Sequence, residues 1–155
     1  MRELPVRRAV WSIVTSRKKT TGSALGEVYE SSWWSVVLPP GWTASRENEC
    51  TTFRATPPLG ALQISSARKD LQPVDDNDLK EFAREHSNSA ATLCDVKYGS
   101  FVGFSAERSQ AGLYWKEWWL RSGRLMLYVT YNVAVPYKDS EMSLVEGILR
   151  TATAR

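Results

Sequence analysis

From Leu125 to Val135 every odd-numbered residue is apolar (Leu125, Leu127, Val129, Tyr131, Val133, Val135). A period of two is the mark of a strand with one face against a core. Just upstream, Leu113–Arg121 reads LYWKEWWLR, equally dense in aromatics, and Ser122-Gly123 divides the two runs as a turn would. The spacing predicts a hairpin over 113–135. With Ser122-Gly123 as a two-residue turn, Leu120 faces Leu125, Trp118 faces Leu127, Lys116 faces Val129 and Tyr114 faces Tyr131. That register puts Trp118 and Leu120 with the odd apolar residues. Trp115, Glu117, Trp119, Met126, Tyr128, Thr130 and Asn132 then share the opposite face.

The chain has 155 residues, enough for one domain that folds without disulfide or metal. Seven Trp and six Tyr are an unusual aromatic investment, spent either on the core or on a face kept for a partner. Cys50 and Cys94 stand 44 residues apart with no CxxC spacing, and we read them as two buried free thiols. His86 is the single histidine, so a zinc site would need an unusual mixture of Cys50, Cys94 and His86. The expectation is no metal and no cofactor.

No run approaches the ~20 apolar residues of a membrane-spanning helix. Arg7-Arg8 before Ala-Val-Trp-Ser-Ile-Val imitates a twin-arginine export signal, but the apolar stretch is short and Arg17-Lys18-Lys19 follow it at once. A cytoplasmic protein without membrane contact is expected. Residues 1–20 hold six basic side chains against Glu3, a net of +5. The whole chain is +3, which leaves −2 for residues 21–155. The basic character belongs to an N-terminal arm, and the mildly acidic remainder argues against a nucleic-acid surface on the fold.

Along the chain, residues 1–26 read as that arm, with a short strand within Ala9–Thr15, and residues 27–155 as a single domain. Trp34–Leu38 alternates as a strand stopped by Pro39-Pro40-Gly41. Thr51–Ala55 and Ala61–Ala67 are two more, with Phe53, Leu62 and Ile64 inward. Asp75-Asp76-Asn77-Asp78 supplies cap residues and negative charge for a helix whose apolar stripe is Leu79, Phe82, Ala83, His86 and Ala90. Two strand-like pieces between Asp95 and Ser109 break at Gly99 or Gly103. After the hairpin, Asp139 or Ser140 caps a closing helix that buries Leu144, Val145, Ile148, Leu149 and Ala152. Strands joined by short turns, with helices between groups, give an α+β fold: an antiparallel β-sheet of about six to seven strands sandwiched by helices.

A strand running into LPPGW (Leu38–Trp42), an amphipathic helix after the third strand, Gly103-Phe104 opening a strand, the run LMLYVTYNV and the closing helix VEGILRTA (Val145–Ala152) come in this order. Together they resemble the Mog/PsbP-like family. The resemblance covers roughly residues 33–152. It implies an α/β/α sandwich whose members mostly bind other proteins and perform no chemistry. It transfers no site residue position by position, and fold does not carry function with it.

Catalytic signatures are absent from the sequence: no Gly-x-Ser-x-Gly elbow, no phosphate-binding Gly-x-x-x-x-Gly-Lys loop, no His-Glu-x-x-His. Glu47, Glu49, Glu107 and Glu117 would have to meet in space to make a paired-carboxylate site. Asp75–Asp78 lacks the Gly and distal Glu of a calcium loop. The expected function is a non-enzymatic protein-binding module of a bacterial cell, in an adaptor, chaperone-like or immunity-type role. Its partner is another protein, met by Trp115, Glu117, Trp119, Tyr128 and Trp33 or by a rim around Trp42, Pro57-Pro58 and Pro136-Tyr137. One alternative is a small-ligand binder or hydrolase with a pocket between sheet and helix. Another is nucleic-acid association through Arg7, Arg8, Arg17, Lys18 and Lys19.

Overall fold

The aromatic hairpin lies in the middle of a large antiparallel sheet, with two helices and a smaller sheet packed on its faces. The computed structural model describes residues 11–12, 20–23, 26–86 and 92–155. In chain order these form β1 (Trp11–Ser12), β2 (Thr20–Ser23), β3 (Gly26–Glu30), β4 (Trp34–Leu38), β5 (Trp42–Glu47), β6 (Cys50–Ala55) and β7 (Ala61–Lys69). Then come α1 (Asp76–His86), β8 (Cys94–Tyr98), β9 (Phe101–Gln110), β10 (Leu113–Ser122), β11 (Leu125–Ala134), α2 (Met142–Arg150) and β12 (Thr153–Ala154). The large sheet runs β5-β6-β7-β11-β10-β9-β8, and β1 joins the far end of β7 by pairing Trp11 with Lys69 and Ser12 with Arg68. A smaller antiparallel sheet runs β12-β4-β3-β2.

The expected register of the hairpin is two residues out. Ser122 pairs with Leu125, Leu120 with Leu127, Trp118 with Val129 and Lys116 with Tyr131. The turn is therefore Gly123-Arg124. Gly123 has φ 56°, suited to the first central position of a II′ turn, where glycine is wanted. Because the error is an even number of residues, the assignment of faces survives it.

The inner face carries Phe53, Leu62, Ile64, Trp118, Leu120, Leu127, Val129 and Tyr131. They pack against Trp34, Val36 and Leu38 of β4 and Val145, Ile148 and Leu149 of α2 in one continuous core. One outer layer is thus a small sheet together with a helix, where the sequence led us to expect helices alone. On the opposite face, Phe104, Ala106, Trp119 and Met126 meet Val74, Leu79 and Ala83 of α1 and the segment before it.

Asp75 and Asp78 start α1 reciprocally. Asp78 N–H donates to the Asp75 carboxylate and Asp75 N–H to the Asp78 carboxylate, each at 2.9 Å, a capping box that explains the acidic run. Asp78 also takes the Lys69 ammonium, and Asp76 takes Arg121. The second helix departs from expectation. It begins after Glu141, beyond Asp139 and Ser140, and Glu141 makes no side-chain cap because its carboxylate is engaged elsewhere.

Candidate functional site

Two features of the surface stand out: an apolar rim at one end of the large sheet and a trough beside α1. The rim is built where β7, β10 and β11 meet the start of α2. Ala61 pairs with Asn132 and Leu113 with Ala134, so the loop before β7 and the two hairpin ends share one edge. Glu141 fixes that edge: its Oε1 accepts the Gly60 N–H and the Tyr131 hydroxyl, both at 2.8 Å. Burial, then the Glu141 carboxylate, hold the Tyr131 phenol well above the usual tyrosine range. Around this buried clamp, Leu59, Leu113, Val135, Tyr137 and Leu144 are all exposed, Tyr137 to 50%. Among the described residues they are five of the six exposed large hydrophobic side chains, Leu71 being the sixth.

The trough lies on the outer face, where α1 covers β9, β10 and part of β11 and leaves β5 and β6 open. Glu47, Asn48, Glu49, Cys50, Thr52, Gln63 and Ser65 line an open space of about 750 Å³. A second space of about 260 Å³ adjoins it, sharing Glu49 and Ser65 and floored by Ala67, Phe82, Met126 and Tyr128. Thr52 and Thr130 both hydrogen-bond Gln63, which gives this half of the face a polar ladder.

The expected contact residues divide. Trp119 is enclosed, 1% exposed, stacked on Tyr128 with centroids 6.0 Å apart. Glu117 is also buried; it accepts the Tyr128 hydroxyl at 3.2 Å and lies 3.7 Å from Arg108. Burial first, then Glu117, hold the Tyr128 phenol high. Neither offers a free surface: Trp119 packs against Val74, Leu79 and Ala83, and Glu117 is engaged by Tyr128 and Arg108. Tyr128 and Trp115 remain half-buried, and the Arg108 guanidinium lies over the Trp115 ring at 5.0 Å. Trp33 is on the other side of the sheet, packed against the inner core with Arg68 over its ring at 5.9 Å. The structure does not bring it to the other four. Trp42, expected at the rim, is buried.

Other expectations resolve as follows. Cys50 is half-buried and Cys94 exposed, both free, so the two thiols are not the buried pair we expected. Their strands are five positions apart in the sheet, about 24 Å at 4.8 Å per strand, too far for a disulfide. Glu107 and Glu117 occupy opposite faces, since they sit on neighbouring strands with Lys116 opposite Glu107 and Ala106 opposite Glu117. Among the described residues no group of His, Cys, Asp and Glu could hold a metal ion, and no helix is long and apolar enough to cross a membrane. Arg7, Arg8, Arg17, Lys18 and Lys19 lie outside the described residues, as does the side chain of His86. The sequence assigned residues to neither the rim nor the trough: Pro57-Pro58 and Pro136-Tyr137 pointed to the first, and the expected space between sheet and helix corresponds to the apolar end of the second.

No protein-family model matches the chain, and no curated protein matches it. Solved structures do. A protein from Bacteroides thetaiotaomicron VPI-5482 superposes with a TM-score of 0.62 at 20% identity, over 84% of this chain and 49% of that one. The chain thus spans about half the length of that protein. LpqN of Mycobacterium tuberculosis, described as involved in cell envelope biogenesis, superposes with a TM-score of 0.54 at 14% identity, over 89% of this chain and 90% of LpqN. Cyanobacterial PsbP (CyanoP) from Synechocystis sp. PCC 6803 reaches a TM-score of 0.43 at 13% identity, over 86% of this chain and 95% of that one, too loose a superposition to carry an inference. At these identities the likeness is one of fold alone, and the Mog side of the resemblance rests on the sequence pattern.

Proposed function

We propose that this chain is a non-enzymatic protein-binding module whose apolar rim docks another protein. One observation carries the reading: Leu59, Leu113, Val135, Tyr137 and Leu144 are all exposed on the segments that meet at the Glu141 clamp, at one end of the sheet. Isolated exposed apolar residues are ordinary, but five on segments that converge at one end are what a docking surface needs. The clamp fixes their backbone in advance, so binding costs little ordering. Trp115, half-buried and opposite Asn132 near that end of the sheet, extends the contact. Two free thiols suit a reducing cytoplasm, the location that belongs to this reading. A part in cell envelope biogenesis, in which LpqN is described as involved, is the second form of this reading.

The test is affinity capture from the native host with wild type, Val135→Ser/Tyr137→Ser and Trp115→Ala side by side, with circular dichroism confirming that each is folded. A specific partner held by wild type and lost from the rim variant supports the reading. A partner retained equally by all three chains, or none at all, overturns it.

A further inference from the structure

We propose that the trough between α1 and the β5–β6 hairpin is a second recognition site, taking an extended basic segment of a partner protein that carries one large aliphatic side chain. This goes beyond the rim and does not depend on it. The apolar end supplies the anchor: Ala67, Phe82, Met126 and Tyr128 floor a space of about 260 Å³, enough for one large aliphatic side chain. The open end supplies the charge. Glu47 and Glu49 stand on the hairpin wall. On the helix side Phe82 lines the space, and the Asp78 carboxylate is paired with Lys69 of β7.

Glu47 and Glu49 therefore stand beside a floor of Cys50, Thr52, Gln63 and Ser65. Of the nearby cations, Lys69 is already spent on Asp78, and Arg54, two residues beyond Thr52 on the same strand face, is not part of the lining. A partner with Lys or Arg on either side of a Leu complements this arrangement. An acidic or uncharged segment does not.

The two thiols make the test internal. Cys50 is in the trough, and Cys94 sits on β8 at the opposite edge of the sheet. The rate of alkylation of each is measured by mass spectrometry on the full chain. The probes are the blocked peptide Lys-Arg-Leu-Lys-Arg, its charge-reversed form Glu-Asp-Leu-Glu-Asp, and Lys-Arg-Ser-Lys-Arg, in which the anchor is removed. At about ten times its Kd the basic peptide slows Cys50 about tenfold and leaves Cys94 unchanged. The other two peptides slow neither thiol, and added salt weakens the protection. Glu47→Lys/Glu49→Lys abolishes it while the fold is retained.

Three results overturn the proposal. One is no protection at about 1 mM peptide, the weak limit of specific contact. Another is equal slowing of both thiols. The third is a Cys50 already protected in the free chain and released when Arg17, Lys18 and Lys19 are changed to Ser, which would make the chain's own basic run the occupant. Loss of the rim partner leaves all of these readouts unaffected, so the two proposals fail separately.

Discussion

Tyr131 donates its hydroxyl to the buried carboxylate of Glu141 at 2.8 Å, tying the central strand β11 to the start of α2. The same oxygen holds the Gly60 N–H. Glu141→Ala leaves both buried donors unpaired and is expected to cost about 2–4 kcal/mol, whereas Tyr131→Phe, which removes one donor with its hydroxyl, costs about 1–2 kcal/mol. Glu141→Gln keeps an acceptor oxygen in place and costs less than half of the alanine change. Urea unfolding of the three variants checks this, with the slope unchanged and the midpoint shifted. An equal loss in the glutamine and alanine variants would show that the clamp works through charge and not through its two acceptor bonds.

Trp119 is the residue whose role changes most between sequence and structure. Its indole lies between Tyr128 and the underside of α1, and its N–H has no hydrogen-bond partner among the described residues. Trp119→Ala is expected to cost about 3–5 kcal/mol through the cavity it leaves. Trp119→Phe forfeits no hydrogen bond and costs much less. Gly103 tests the same spot from the backbone: a Cβ there would fall 1.9 Å from the Trp119 carbonyl oxygen, with no flexible side chain to yield. Gly103→Ala therefore destabilises more than an ordinary strand Gly→Ala change, and thermal melts of the three variants read the order directly.

The alternation from Leu125 to Val135 identified the sheet and its two faces without any structure, because burial on one face imposes a period of two. What it could not give was the partner of each face. Trp115, Glu117 and Trp119 read alike in sequence, yet α1 covers Trp119 while Trp115 stays half-buried under the Arg108 guanidinium. That difference depends on where a helix some thirty to forty residues upstream comes to rest. The small sheet was hidden for another reason. β2 and β12 are short and carry no alternation, so only their pairing with β3 and β4 makes them strands. β5 was missed because Thr43, Ser45, Arg46 and Glu47 lie on an exposed edge, where no apolar rhythm is required.

The capping box of α1 gives an acid-side prediction. The Asp78 N–H holds the Asp75 carboxyl below its ordinary value. A carboxylate whose folded pKa is depressed adds stability that is fully present above the unfolded pKa of about 3.9 and lost as pH falls through the folded one. Asp75→Asn retains an acceptor but does not titrate. Between pH 5 and 2 its melting temperature should fall less than that of wild type, and Asp75→Ala should lose about 1 kcal/mol already at neutral pH. Parallel acid slopes in wild type and Asp75→Asn would remove Asp75 from the account.

On the alkaline side the sign is reversed. Tyr114, Tyr128 and Tyr131 all have raised pKa values, each through burial first; Glu107, Glu117 and Glu141 respectively add to the effect. The fold holds these phenols neutral, so their contribution is complete below the unfolded tyrosine value of about 10 and is lost as pH climbs toward the folded values. Phenolate absorbance recorded during a pH jump separates the two states: the three rings ionise only as the chain unfolds, in step with the loss of circular dichroism. Tyr128→Phe removes one phenol from that step and leaves the buried Glu117 with Arg108 3.7 Å away. It should lower stability at neutral pH by about 1 kcal/mol while making the alkaline loss shallower. Phenolate appearing in full before any unfolding would contradict the burial of these three side chains and, with it, the packing of α1 and α2 on the two faces of the sheet.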